Sequence, residues 1–215
     1  IAISHRSDFG VSACRDQGRF QVFFRTMGDD VASITKEFNA FVQGRHMDYP
    51  GFKAEYLLIH ERNVDWVLET GTRHGGSALY FADLLRSRGA TGKVITIDVT
   101  HDDLQATDPG KVLYLKGDSA SPAVVAEITA LLAARRGALF VILDSDHAKA
   151  HVLRELHAYV PLMRAGDYLV VEDTCINGHP VRAGFGPGPY EAVQEFLARH
   201  PDAFAVDRAR ETKFG

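Results

Sequence analysis

The chain has 215 residues, 46% of them hydrophobic and 24% charged, with a formal net charge of −4 and a pI near 6.2. Those values suit one α/β domain with a single core and the composition of a soluble globular enzyme. A nucleic-acid binder carries a basic stripe, and a bilayer span needs roughly 20 apolar residues in a row; the sequence offers neither. Arg135-Arg136 reads as the cationic end of a helix, where the helix dipole favours it. Cys14 and Cys175 stand far apart and read as free thiols of a cytoplasmic protein. No signal-peptide pattern is visible, although the first residue is Ile1 rather than Met, which leaves the true N-terminus open.

Residues 1–28 mix Gly, Ser and charge with an aromatic patch, Phe20 to Phe24, and have no clear period. From Asp29-Asp30 the pattern turns helical, with Val31, Ile34, Phe38 and Phe41 as its apolar positions. Gly44 and Asp48-Tyr49-Pro50-Gly51 break it. A second helix is expected from about Lys53 to Glu61. Residues 1–62 are thus a mainly helical segment belonging to the same domain as residues 63–215.

After that segment the chain alternates. Apolar runs at Val64 to Glu69, Val94 to Asp98, Val112 to Leu115, Ala138 to Asp144 and Asp167 to Glu172 predict five buried strands. Helices are expected at Gly76 to Arg86, Pro122 to Ala134, Lys149 to Val160 and Tyr190 to His200, with a late strand at Ala203 to Val206. This alternation, with right-handed crossovers, predicts a Rossmann-like, doubly wound, mostly parallel sheet with helices on both faces. Residues 174–189 are rich in Gly, Pro and Asn and too long for a mere connector. They are expected to form a mobile cover over the substrate.

Acidic residues stand at the C-terminal ends of successive strands: Glu69, Asp98, Asp118, Asp144 and the pair Glu172-Asp173. Ligands of open α/β sheets bind at that edge. Helix capping explains one or two of these positions and is strained for all of them. The first turn reads Glu69-Thr70-Gly71-Thr72-Arg73-His74-Gly75-Gly76-Ser77. A nicotinamide-binding turn wants Gly-x-Gly-x-x-Gly, but Arg73 fills the place of the middle glycine; the Gly-Lys-Ser/Thr ending of a phosphate loop is also absent. Acid-x-Gly-x-x-x-Gly is instead the usual first motif of class I methyltransferases. Asp98 follows Gly71 by 27 positions, where a carboxylate can accept the hydroxyls of a ribose. Asp118 can meet an adenine amino group, or simply cap a helix.

Four stretches extend the pattern: Leu68-Glu-Thr-Gly-Thr-Arg-His-Gly-Gly-Ser-Ala78, Val141-Ile-Leu-Asp-Ser-Asp-His-Ala148, Tyr168-Leu-Val-Val-Glu-Asp-Thr174, and Asn177-Gly-His-Pro-Val181 with Gly184-Phe-Gly-Pro-Gly-Pro189. With them the chain resembles the cephalosporin hydroxylase / rhamnosyl O-methyltransferase family from about Pro50 to Lys213. The resemblance implies the class I methyltransferase fold, S-adenosylmethionine, a divalent metal (usually magnesium), an oxygen nucleophile on a sugar, glycoside or other small molecule, and a homo-oligomer. Residues before Asp48 do not align, and family chains usually run on past the position of Gly215 into a last antiparallel strand.

The cofactor-binding set expected on this basis is Glu69, Gly71, Thr72, Gly75, Ser77, Asp98, Asp118 and Asp144, in contact or close behind. Asp144, Glu172 and Asp173 are expected to hold the metal, since three neighbouring carboxylates repel one another without a cation. Asp146 is the rival of Asp144. His147, three positions past Asp144, is expected to be the general base. Asp146, His179 and Tyr190 are candidate substrate contacts. His151 and His157 are discounted as surface or packing residues. The competing readings are a Rossmann-type oxidoreductase, which Arg73 opposes, an iron-dependent hydroxylase, which wants two His and one carboxylate, and an inactive binding member of the family.

Overall fold

The computed structural model describes residues 58–105 and 107–208, together with the backbone of residues 2–5. The helix expected from Asp29 and most of the one expected from Lys53 lie outside these residues, as does Cys14; residues 58–61 are helical. Among the described residues seven strands form one sheet: β1 (Ala2–His5), β2 (Val64–Thr70), β3 (Val94–Asp98), β4 (Val112–Lys116), β5 (Ala138–Leu143), β6 (Tyr168–Val171) and β7 (Phe204–Val206). Their spatial order is β4-β3-β2-β5-β6-β1-β7. Strands β2 to β6 are mutually parallel. The helices are α1 (Gly76–Ser87), α2 (Pro122–Leu132), α3 (Lys149–Tyr159, followed by a 3₁₀ turn at Val160–Leu162) and α4 (Pro189–Arg199). This is the doubly wound α/β arrangement that the alternating pattern predicts.

Strand side chains point alternately to the two faces, and each face has its own core. Leu68, Val141, Leu143, Leu169 and Val171 pack with α2, α3 and α4 on one side. Val67, Phe140, Ile142 and Tyr168 pack with α1 and with Leu58 and Ile59 on the other. Burial on both faces is why these strands read as unbroken apolar runs rather than alternating ones.

Two findings depart from the sequence reading. β1 pairs antiparallel with both β6 and β7, so residues 2–5, which carry no sequence signal of their own, hold the antiparallel place at this end of the sheet. Arg135 is not an exposed helix-end cation. Helix α2 stops at Leu132, and Arg135 is buried against Asp167, its guanidinium bonding the Asp167 carboxylate and the carbonyls of Gly137 and Leu162. Asp167 likewise precedes β6 instead of opening it, and accepts the N–H groups of Leu139 and Arg164. A charge on a turn between apolar elements finds a buried partner that local sequence does not show.

Candidate active site

The turn after β2 is shaped by contact with the turn after β5. Gly71 has φ +93°, and a Cβ there would stand 2.1 Å from the Asp144 carbonyl oxygen, so backbone must pass backbone. Gly75, φ +83°, caps the start of α1. Behind the turn, Thr96 Oγ1 donates to Glu69 Oε2 at 2.6 Å, and Thr72 Oγ1 meets Thr96 Oγ1 at 2.7 Å. Burial pushes the Glu69 carboxyl up to about 7 against hydrogen bonds from Ser77 and Thr96, and Asp98 adds to the rise. Buried Glu69 and Thr72, with half-buried Ser77, therefore brace the turn from beneath.

Asp98, ending β3, faces outward. Its two oxygens accept the N–H of Arg73 at 2.8 Å and of Thr100 at 3.4 Å, so it holds the glycine turn in place from the front. Asp118 lies two residues beyond β4. It accepts the Ala120 N–H and pairs with Arg154 of α3 at 2.7 Å, and that hydrogen bond holds its carboxyl below the usual range. Gly71, Asp98, Asp118, Asp144, Asp146 and His147 all line one cavity of about 760 Å³ at the C-terminal edge of the sheet. Glu69, Thr72, Gly75 and Ser77 are not part of its lining.

At the other end of the cavity β5 and β6 are neighbours, which brings Asp144 beside Glu172 and Asp173. Ligand atoms of Asp144, His147 and Asp173 lie within 4.8 Å of one another, and His147 Nε2 is 3.1 Å from Asp173 Oδ2. His147 thus sits beside Asp144 and Asp173 in the acidic cluster, and Glu172 stands just outside that tight group. The Asp144 carboxyl is pushed up to about 7. Its place on the floor of a cleft walled by protein, although open to solvent, contributes most, and the charges of Glu172 and Asp173 add. Glu172 is raised as well, by burial first and then by Asp173. Like charges crowded to this degree fit a hard cation bound through carboxylate oxygens. Among the described residues the cluster contains one histidine, where a non-haem iron site wants two.

Residues 174–188 form a pinned series of turns. The Glu191 carboxylate accepts from the Asn177 amide at 2.6 Å, His179 Nε2 at 3.2 Å and the Gly188 N–H at 2.7 Å. The segment returns beside the acidic cluster, where Lys149 N–H donates to the Pro187 carbonyl and Gly188 packs near the His147 carbonyl. His179 and Tyr190 stack on each other at 4.0 Å, and neither lines the cavity.

Several cavity residues were not among the site candidates drawn from the sequence: Arg73, Ser119, Ser145, His151 and Arg154. His151, discounted from sequence, meets Ser119 Oγ at 3.0 Å and Glu155 at 3.4 Å. The one available signal was Glu155, a charge on the apolar stripe of α3.

The family model for rhamnosyl O-methyltransferase/CmcI matches residues 53–215. The chain belongs to this family. A rhamnosyl O-methyltransferase of Mycobacterium bovis is 46% identical over 160 residues, covering 74% of this chain and 65% of the relative. One of Mycobacterium leprae is 45% identical over 159 residues, covering 74% and 69%. The chain thus spans about two thirds of the length of these family members. Among solved structures, apo CmcI superposes with a TM-score of 0.61 at 20% identity, over 78% of this chain and 68% of that one. CmcI with magnesium and S-adenosylmethionine gives a TM-score of 0.54 at 19% identity, over 74% and 65%. These likenesses establish the methyltransferase fold.

Proposed function

We propose that this family member is an S-adenosylmethionine-dependent, metal-assisted O-methyltransferase acting on a hydroxyl of a sugar, glycoside or other small natural product, and that it works as a homo-oligomer. The observation that carries this reading is the cluster of Asp144, His147 and Asp173 at one end of a cavity whose other end presents Asp98 and Asp118. Magnesium- and S-adenosylmethionine-bound CmcI supports the choice of ligands.

In this reading Asp98 accepts the ribose hydroxyls and Asp118 the adenine amino group, while Glu69, Thr72 and Ser77 keep the glycine turn rigid. Asp144 and Asp173, with Glu172 just outside them, would hold a divalent cation, and Asp146 is the alternative to Asp144. A divalent cation bound there lowers the pKa of an acceptor hydroxyl and orients it. S-adenosylmethionine bound in the cavity would supply the methyl group, and the imidazole of His147 is placed to take the proton of the acceptor hydroxyl. Asp173, 3.1 Å from His147 Nε2, orients the ring and leaves the other nitrogen to take the proton. His179 and Tyr190 reach the acceptor only if the 174–188 segment moves toward the cavity.

Turnover with labelled cofactor against sugar and glycoside acceptors should disappear on chelation with EDTA and return with magnesium. His147→Ala should lower turnover by roughly 10²–10⁴-fold while cofactor binding survives. Full activity after chelation sinks the metal assignment. Rescue of His147→Ala by excess magnesium makes His147 a ligand rather than the base.

A further inference from the structure

Helix α3 carries a glutamate where its other inward positions are apolar. Val152, Leu156 and Tyr159 are buried against the sheet, and the Glu155 side chain, 1% exposed, is buried with them. Its Oε1 accepts Ser119 Oγ at 2.6 Å and Ser145 Oγ at 2.6 Å. Its Oε2 has no hydrogen-bond partner among the described residues. A buried acceptor left unpaired forfeits its hydration without a replacement bond. Stability alone therefore does not explain a carboxylate at this place.

The two serines belong to turns that the sheet keeps apart. Ser119 follows β4 at the edge and Ser145 follows β5, with β3 and β2 between them. Three strand spacings make roughly 14 Å, yet both hydroxyls converge on one oxygen. Both serines line the cavity. Ser119 adjoins Asp118, on the nucleoside side, and Ser145 adjoins Asp144, on the cation side. The rest of the same helix face grips the Ser119 turn: Arg154 pairs with Asp118 at 2.7 Å, His151 Nε2 meets Ser119 Oγ at 3.0 Å, and the Tyr159 hydroxyl donates to the Ser119 carbonyl.

We propose that Glu155 is a positioning residue that ties the nucleoside wall and the cation wall of the cavity into one rigid unit, so that the S-adenosyl group meets a site already shaped for it. The proposal rests on the methyltransferase reading given above. It makes α3 a strut that presents Asp118 and Asp144 at a set separation, which lowers the ordering cost of binding.

The test is calorimetry with S-adenosylhomocysteine on the full chain, alongside KM and kcat for S-adenosylmethionine. Glu155→Leu should weaken binding by roughly 10–100-fold, the usual cost of losing an outer support, and raise KM more than it lowers kcat. Glu155→Gln, whose amide oxygen still accepts both hydroxyls, should bind like the parent. Ser119→Ala and Ser145→Ala should each weaken binding, and the double variant no further than the worse single one, because both act through the same oxygen. A Glu155→Leu protein that melts like the parent and binds like it overturns the proposal. Should Glu155→Leu fail to fold, the serine cycle decides, and additive or absent losses overturn it. A parent that binds no S-adenosylhomocysteine overturns the methyltransferase reading, and this inference with it. A binding parent with unaffected variants overturns the inference alone.

Discussion

The carboxylates at the strand ends share a sequence signature but differ in environment, and the difference decides what each can do. Asp98 faces the cavity, whereas Glu69 is buried beneath the glycine turn with its carboxyl pushed up to about 7, by burial first. An acid whose folded pKa lies above its unfolded value binds its proton more tightly in the folded state. Between the ordinary value of 4.5 and about 7 the folded protein keeps a proton that the unfolded chain has lost. Stability from this group is therefore full below the unfolded pKa, falls as pH rises through that window, and is flat above it. Glu69→Gln removes the slope. In urea unfolding without cofactor, the variant should gain on the parent from about pH 5 to about pH 8, by at most about 3 kcal/mol. Parallel profiles for parent and variant would show that Glu69 is ionised throughout. The acid at position 69 was legible as the end of an apolar run. Its burial beneath the turn, bonded to Thr96, was not, because that depends on which way the side chain points.

At the scale of elements, the 174–188 segment shows how a Gly- and Pro-rich stretch becomes ordered. One carboxylate at the start of α4 satisfies three donors spread over the segment. Partial burial alone would raise the Glu191 carboxyl, but the Gly188 N–H and the Asn177 amide, with its own N–H and His179, hold it at about 2. Val181 and Phe185 remain 45% and 43% exposed on this segment. Glu191→Ala should raise amide exchange across 176–188 by about tenfold, the equivalent of one charged hydrogen bond, while α3 keeps its protection. Unchanged exchange would mean that the turns hold themselves without Glu191. A cover over the site was expected from composition. Its anchor was not, since Glu191 reads in sequence as an ordinary first-turn acid.

At the scale of the whole molecule, the end of the sheet opposite the site is closed by a buried ion pair. Arg135 and Asp167 are 1% and 2% exposed, and Asp167 also caps the backbone of Leu139 and Arg164. Removing one partner leaves the other charge buried and uncompensated. Asp167→Ala should lower unfolding stability by roughly 3–5 kcal/mol in denaturant, while the folded fraction keeps its KM for S-adenosylmethionine, because the pair lies far from the cavity edge. A parent-like denaturation midpoint would show that water solvates Arg135 in the variant.

The parallel direction of β2 to β6, the two apolar faces and the row of acids at one edge follow from the sequence alone. An apolar run flanked by an acid and a glycine turn is a local pattern, and the handedness of crossovers leaves few ways to assemble five of them. Tertiary structure alone decided the placing of residues 2–5 between β6 and β7, the pairing of Arg135 with Asp167, and the meeting of Ser119 and Ser145 on Glu155. Each joins residues whose separation along the chain carries no period. Their partners are set by which turns the twisted sheet brings together at its edges, and no local propensity encodes that distance.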